Sequence, residues 1–186
     1  NIAIPASVEG HDGLFVVTMD DSHTKVSGEI LDQLRVGPRM LPFGSAIEGS
    51  NAILTVPNFK IANLDIKATP VLWLNDKPKQ AGVIGSIGTD LLGMFDLELD
   101  IAHAKLNLFS PDHCPGHVVY WTNGVAAAIP FTFDTTGNIT FDAAIDGKPL
   151  QVQFSTRPGH STVRLDVAQS VLGYPMPPAN PLAKGE

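Results

Sequence analysis

Alternating apolar and polar residues dominate the first 110 positions, a pattern typical of β-strands with one buried face. In FDLELDI, the apolar side chains of Phe95, Leu97, Leu99 and Ile101 are separated by acidic residues. Further β-rich runs, bounded by Gly, Pro, Asn or Asp, are IPASV, GLFVVT, ILTVPNFKIANLDI, TPVLWL and AKLNLF. Short helices are predicted only at residues 28–34, 89–94 and 165–172. The pattern therefore predicts an all-β fold with few short helices.

One strand–turn–strand pattern occurs twice in the chain. The segment VEGHDGLFVVTMDDSHTKVSGEIL, residues 8–31, aligns without a gap with IDGKPLQVQFSTRPGHSTVRLDVA, residues 145–168, at a constant offset of 137. Such a duplication predicts two similar lobes that face each other across a cleft. We therefore divide the chain into a first lobe at 1–109, a connector with strands at 110–137, and an incomplete second repeat at 138–186.

The second repeat is shorter than the first. The first lobe ends near residue 109, so at the same offset the second would end near residue 246, whereas the sequence given stops at Glu186 after a segment rich in Pro, Gly and Ala. We expect a fragment, a proteolytic product, or a lobe that another chain completes. The intact mass of the natural gene product tests this expectation.

Composition restricts the classes of partner. The chain has 186 residues, is 44% hydrophobic and carries a formal net charge of −7. A nucleic-acid partner is not expected, because phosphate binding needs clustered Lys and Arg, and the sequence has no basic stripe. No apolar run is long enough to span a bilayer. The single cysteine, Cys114, excludes an internal disulfide.

Residues 82–109, GVIGSIGTDLLGMFDLELDIAHAKLNLF, closely resemble the closing segment of retropepsin-like aspartic proteases, especially the bacterial two-repeat "aspartyl protease family" proteins. In that family, two apolar residues and a glycine precede a short helix and a strand of the FDVELD type; residues 86–88 and 89–92 hold those places. The connector DHCPGHVVYW, residues 112–121, is also similar to the family's inter-repeat connector. The resemblance covers about residues 4–173.

The resemblance implies a retropepsin-like acid-protease β-barrel lobe followed by a partial second lobe, and an exported or periplasmic location. It also implies a flap hairpin around residues 43–52, FGSAIEGSNA, which would close over a bound peptide strand. An ordinary surface hairpin with two turn glycines is the alternative. The expected peptide-binding residues are Gly44, Ser45, Ala46, Ile47 and Arg157.

Proteases of this family carry one Asp-Thr/Ser-Gly motif on each lobe, and the two carboxylates share one proton. The repeat alignment places Thr18 and Ser155 at the two Asp positions, and Asp20 and Arg157 at the two Gly positions. An alcohol has no accessible anion near neutral pH, so it cannot act as the general base that activates water. The sequence therefore predicts that the catalytic dyad is absent. If the lobes meet, Asp20 and Arg157 are expected to form an ion pair.

Three functions remain open from the sequence. The first is a non-catalytic homologue that binds a peptide or protein segment or has a structural role. The second is an active aspartic endopeptidase that uses Asp20 or Asp21 through homodimerisation or a missing segment. The third is an assembly scaffold without a ligand in the cleft.

Metal-ligand candidates are few. HCPGH, residues 113–117, offers three zinc-ligand side chains within five residues, but no second pair of ligands follows, and a turn in the connector is the favoured interpretation. His23 and His160 lie at corresponding positions of the two repeats. We predict neither a metal nor a cofactor.

Overall fold

The computed structural model describes residues 2–34, 37–42, 46–74, 80–111, 121, 124, 126–157 and 159–175. Within these ranges the chain forms twelve strands and three helices of four to six residues, so the predicted all-β class is confirmed. None of the helices in the described part is long and apolar enough to cross a membrane.

Six strands of the first lobe close into a barrel. The strands of this lobe are β1 (Ala3–Val8), β2 (His11–Val17), β3 (Lys25–Ser27), β4 (Arg39–Met40), β5 (Ala52–Ile61), β6 (Leu64–Leu74) and β7 (Val83–Ile87). Their order is β1-β2-β7-β3-β6-β5-β4, and β5 also pairs with β1, which closes the ring. The β2–β7 and β3–β6 pairs are parallel, whereas the other pairs are antiparallel.

The inward face of the alternating pattern forms the barrel core. Its fully buried side chains include Val8, Phe15, Val17, Val26, Leu54, Val56, Phe59, Val71 and Ile87. The rings of Phe15 and Phe59 meet edge to face with centroids 5.1 Å apart. Burial of each such side chain contributes about 1.5–3 kcal/mol, so this core accounts for much of the lobe's stability.

The β-rich runs ILTVPNFKIANLDI and TPVLWL do not correspond to one strand each. β5 ends at Ile61, inside the first run, and β6 runs without a break from Leu64 to Leu74 across both. Ala62 has a φ of 51°, which lets the chain reverse there. The apolar alternation continues across this turn and conceals it. Pro70 does not end β6, since it lies opposite Thr55 within the ladder.

The remaining elements follow the predicted order. They are α1 (Gly28–Leu31), α2 (Thr89–Leu92), β8 (Asp96–Asp100), β9 (Lys105–Phe109), β10 (Thr132–Phe133), β11 (Ile139–Ile145), β12 (Lys148–Gln153) and α3 (Leu165–Ser170). β8 and β9 form a hairpin, and β10, β11 and β12 form an antiparallel sheet. Each helix lies inside its predicted range but is two or three residues shorter. In the connector expected at 110–137, residues 112–120, 122, 123 and 125 lie outside the described residues.

The β1–β2 and β11–β12 hairpins match at the offset found in the sequence. β1 ends at Val8 and β11 at Ile145, a difference of 137. Both turns place an acidic residue and a glycine at positive φ, with values of 50° and 82° at Glu9-Gly10 and 51° and 75° at Asp146-Gly147. Two consecutive positive φ values characterise the two-residue turn that suits the twist of a β-hairpin.

Burial distinguishes the two hairpins. The corresponding pairs are Val8 (0% exposed) and Ile145 (37%), Val17 (1%) and Phe154 (39%), and Val26 (0%) and Val163 (45%). In the first lobe these positions face a barrel that β5, β6 and β7 close. The sheet that contains β11 and β12 has only β10 as a further strand within the described residues, so its apolar face remains open.

Gly85 provides a test of the barrel closure. It pairs with Phe15 of β2 and Val26 of β3, and a Cβ at this position would overlap the Lys25 carbonyl oxygen and the Phe15 ring. We expect Gly85→Ala to lower the free energy of unfolding by about 3 kcal/mol, because a packed core resists added volume. Chemical denaturation measures this change. Gly37→Ala is the control, since its Cβ would have no neighbour within 4 Å, and an equal loss there would contradict the explanation.

Candidate functional site

The loops that follow β2 and β12 are in direct contact. The Thr156 hydroxyl accepts a hydrogen bond from the Met19 backbone N–H at 3.1 Å and donates one to the Val17 carbonyl at 2.9 Å. A single hydroxyl therefore satisfies one donor and one acceptor of the opposite loop. This contact places residue 156 against both neighbours of Thr18.

A charged contact joins the same two loops. The Nε of Arg157 pairs with the Asp20 carboxylate, and its Nη2 lies 3.2 Å from Oδ1 of Asp21. The Asp20 side chain is only 5% exposed, whereas that of Arg157 is 64% exposed. The ion pair expected from the sequence is therefore present, with its acid buried and its base at the surface.

Both contacts join positions that correspond in the repeat alignment. Met19 and Thr156 differ by 137 residues, as do Asp20 and Arg157. A contact between equivalent positions arises where an approximate two-fold axis passes between two similar units, because residues near the axis face their own counterparts. The loops that follow β2 and β12 thus face each other.

The hydroxyls of Thr18 and Ser155, the positions predicted to replace the catalytic carboxylates, both hydrogen-bond to backbone groups. The buried Thr18 hydroxyl donates to the Ile87 carbonyl at 3.2 Å, and the Ser155 hydroxyl accepts from the Arg157 backbone N–H at 3.1 Å. The fallback acids, Asp20 and Asp21, both contact the Arg157 guanidinium. The carboxylates of this loop are therefore engaged with a cation.

Asp20 is incompletely satisfied. Its Oδ1 is buried and has no hydrogen-bond partner among the described residues, whereas the other carboxylate oxygen pairs with Arg157. A buried carboxylate is costly unless its charge is balanced, so Arg157 is the group that permits this burial.

Helix α2 fixes the far end of the first loop. The Asp90 carboxylate accepts hydrogen bonds from the Thr24 backbone N–H at 2.9 Å and from the Thr24 hydroxyl at 2.7 Å. The same hydroxyl accepts the Gly88 N–H at 3.2 Å. A Cβ on Gly88 would overlap the His23 backbone carbonyl, which explains the glycine at this point of the closing segment. The loop is thus held at both ends.

A turn from the predicted flap region also contacts this loop. Residues Ile47 and Ser50 form a bridge around Glu48 and Gly49, whose φ values are 46° and 80°. The Glu48 Oε1 accepts the Ser22 backbone N–H at 2.9 Å and the Ser22 hydroxyl. The carboxylate also lies 3.2 Å from His23 Nδ1 and 3.0 Å from Lys25 Nζ. It therefore contacts three residues of the loop, Ser22, His23 and Lys25.

These contacts determine the ionisation of Glu48. Burial raises the pKa of Glu48, but the hydrogen bonds from Ser22, Lys25 and His23 outweigh it and lower the pKa from 4.5 to about 2. A carboxyl with a lowered pKa in the folded state contributes stability above its unfolded pKa of 4.5 and loses it as the pH falls through about 2. Glu48 is therefore an anion throughout the neutral and mildly acidic range.

Several predicted site residues remain untested. Gly44 and Ser45 lie outside the described residues, Ala46 is exposed and Ile47 is half-buried in the turn, so their role in peptide binding stays a prediction. The zinc-ligand candidates at 113–117 also lie outside the described residues. The part of the chain that the structure describes contains no group of three His, Cys, Asp or Glu side chains that could hold a metal ion.

Sequence reasoning missed Glu48 and Lys25. The structure places Lys25 in a short strand whose three residues are all buried, where a charged side chain needs a partner. Its ammonium lies 3.3 Å from Asp21 Oδ2 as well as 3.0 Å from Glu48 Oε2. Glu48 offered no signal, because a glutamate beside a glycine in a turn is unremarkable from sequence.

Comparison with known proteins gives similarity at the level of the fold. No protein-family model matches the chain. No curated protein matches it either. One similar solved structure is a retropepsin-like aspartic protease from Rickettsia conorii, with 20% identity and a TM-score of 0.42 over 53% of this chain and 74% of that chain. Another is the retroviral protease-like domain of Ddi1 from Leishmania major, with 16% identity and a TM-score of 0.45 over 57% and 86%. At these identities the likeness extends to the fold alone.

The Thr156 hydroxyl can be tested directly. Thr156→Val keeps the side-chain shape but leaves the Met19 N–H and the Val17 carbonyl without this partner, so we expect the free energy of unfolding to fall by about 1–3 kcal/mol. Denaturation measures the loss, and amide exchange at Met19 locates it. Thr162→Val, at an exposed position, is the matched control. A Thr156 variant as stable as this control would contradict the role assigned to the hydroxyl.

The Asp20–Arg157 pair predicts a compensating double variant. Arg157→Gln leaves the buried Asp20 carboxylate without its cation, and we expect a loss of about 1–3 kcal/mol, below the value for a fully buried pair because Arg157 is exposed. Adding Asp20→Asn should restore most of the loss in a double-mutant cycle. Arg164→Gln, which breaks an exposed pair with Asp166, is expected to have no measurable effect. Additive effects of the two substitutions would refute the coupling.

Proposed function

We propose that this chain is a retropepsin-like protein of the two-repeat aspartic-protease type that lacks the catalytic Asp dyad and acts as a non-catalytic polypeptide-binding or structural homologue. The observation that carries the proposal is the contact between the loops that follow β2 and β12. There, Thr156 contacts Met19 and Arg157 contacts Asp20, at corresponding positions of the two repeats.

The side chains at positions 18 and 155, in the loops after β2 and β12, support the absence of catalysis. Aspartic-protease catalysis needs two carboxylates close enough to share a proton, one as general base and one as general acid. At the matching positions this chain has Thr18 and Ser155, whose hydroxyls bond to nearby backbone groups. An alcohol at each place supplies no base for the attacking water. The nearest acids are engaged by Arg157.

The paired hairpins support the assignment of two repeats. The strand ends that flank the turns, and the positive-φ turns themselves, coincide at the 137-residue offset. On this basis we assign residues 1–109 to the first repeat, 110–137 to the connector, and 138–186 to an incomplete second repeat. Among the described residues, β10 is the one further strand in the sheet of β11 and β12, and the apolar face of that sheet is open, which supports a second repeat without a closed barrel.

The position of the Ile47–Ser50 turn supports polypeptide binding. The turn contacts the loop at residues 22–25, and the resemblance implies that a flap in this place covers a bound peptide strand. An extended polypeptide in such a place would bind through backbone hydrogen bonds, with side-chain pockets providing selectivity.

The second candidate is an active endopeptidase that uses Asp20 or Asp21 in a homodimer or with a further segment. One observation favours it, because the Asp20 Oδ1 is buried and unpartnered among the described residues. The Arg157 contact with both acids opposes it, since each carboxylate already has a cationic partner.

A peptide-library assay at acidic and neutral pH, with a pepstatin-type inhibitor as control, tests the proposal. We expect no cleavage, because no carboxylate occupies position 18 or 155, and saturable binding of a subset of peptides. Inhibitor-sensitive cleavage that disappears in Asp20→Asn or Asp21→Asn would establish the endopeptidase instead. Absence of both cleavage and binding would leave the structural role.

A further inference from the structure

We propose that Glu48 is an ionic latch that holds the Ile47–Ser50 turn closed against the loop at residues 21–25. The turn latch is defined as Glu48 with its partners Ser22, His23 and Lys25. This inference goes beyond the proposed function and does not depend on the nature of any ligand.

Both carboxylate oxygens of Glu48 have partners in the turn latch. Oε1 accepts the Ser22 backbone N–H at 2.9 Å, together with the Ser22 hydroxyl, and Oε2 lies 3.0 Å from the Lys25 ammonium. The Lys25 side chain is only 10% exposed and that of Glu48 is 24% exposed, so water screens this pair less than a surface salt bridge. Hydrogen bonds in which one group is charged are stronger than neutral ones.

The backbone of the turn gives a second, independent argument. Glu48 has a φ of 46°, in the left-handed region that favours Gly, Asn and Asp rather than Glu. A glutamate backbone at positive φ is strained, and the contacts of the Glu48 carboxylate offset that strain. Glu48 is thus placed at the turn position that directs its side chain at the loop.

The turn latch is continuous with the contact between the repeats. Lys25 also pairs with Asp21 at 3.3 Å, and Asp21 pairs with Arg157 at 3.2 Å, so charges of alternating sign run from the turn to the second hairpin. Opening the latch removes the anion next to Lys25 and leaves Asp21 as its partner. The turn and the inter-repeat contact are therefore coupled through one lysine.

Amide hydrogen exchange measured by NMR provides the test, because the Ser22 N–H donates to Glu48 itself. Glu48→Gln keeps the size of the side chain but removes its charge and directs an amide toward Lys25. We expect Ser22 to exchange roughly tenfold faster or more in this variant, and the Gly49 amide to become more mobile on the ps–ns timescale. Glu48→Ala should give the same result.

Two controls separate the latch from general loosening of the lobe. The Thr24 N–H donates to Asp90 at 2.9 Å, a backbone-to-carboxylate bond nearby in the same loop, and its exchange should not change. Glu9→Gln is the matched variant, because Glu9 has a φ of 50° before a glycine and accepts the Asn58 N–H. Its effect should remain at Asn58 and not reach Ser22.

A Lys25 variant tests the other half of the ion pair. Lys25→Met retains the apolar stem and removes the ammonium, so the Ser22 amide should exchange faster, as it does in Glu48→Gln. In the double variant, the Ser22 amide should exchange no faster than in the faster single variant. Unchanged Ser22 exchange in Glu48→Gln would overturn the proposal. Release only in Glu48→Ala would also overturn it, because the charge would then not be what holds the turn.

Discussion

The hydroxyl of Thr156 is the contact on which the arrangement of the two repeats depends. It bridges the Met19 N–H and the Val17 carbonyl, the two backbone groups on either side of Thr18. Met19, at the position that corresponds to Thr156, has no hydroxyl. Both hydrogen bonds are therefore made by a side chain of the second loop to the backbone of the first. The ion pair of Arg157 with Asp20 is the second contact between the loops, at the next pair of corresponding positions. The interface thus combines one neutral bridge with one ion pair.

Charges of alternating sign connect the loops of this region. Carboxylates of Asp20, Asp21 and Glu48 alternate with the cations of Arg157 and Lys25, and each acid touches at least one base. Without those cations, buried acids would be costly. The pairing therefore joins Asp20, Asp21 and Lys25 of the first loop to Arg157 on one side and to Glu48 on the other.

The sequence predicted the local structure better than the contacts between distant segments. Strand alternation predicted the hairpins, and the repeat offset predicted the Asp20–Arg157 pair, because equivalent positions near a two-fold axis meet. The turn at Ala62 was missed, since apolar alternation runs through it. The contact of Glu48 with Ser22 spans 26 residues and depends on how β5 enters the barrel, which no local pattern specifies.

Within the described residues, the same pattern gives a closed barrel around β1 and β2 and an open sheet at β11 and β12. Val17 is buried because β5, β6 and β7 close around it, whereas Phe154, at the equivalent position, is 39% exposed. The pattern therefore specifies which face is apolar, but the strands that cover it lie elsewhere in the chain. The inter-repeat contact has a different requirement. It depends on the side chains of Thr156 and Arg157, whereas the hydroxyls of Thr18 and Ser155 form other hydrogen bonds.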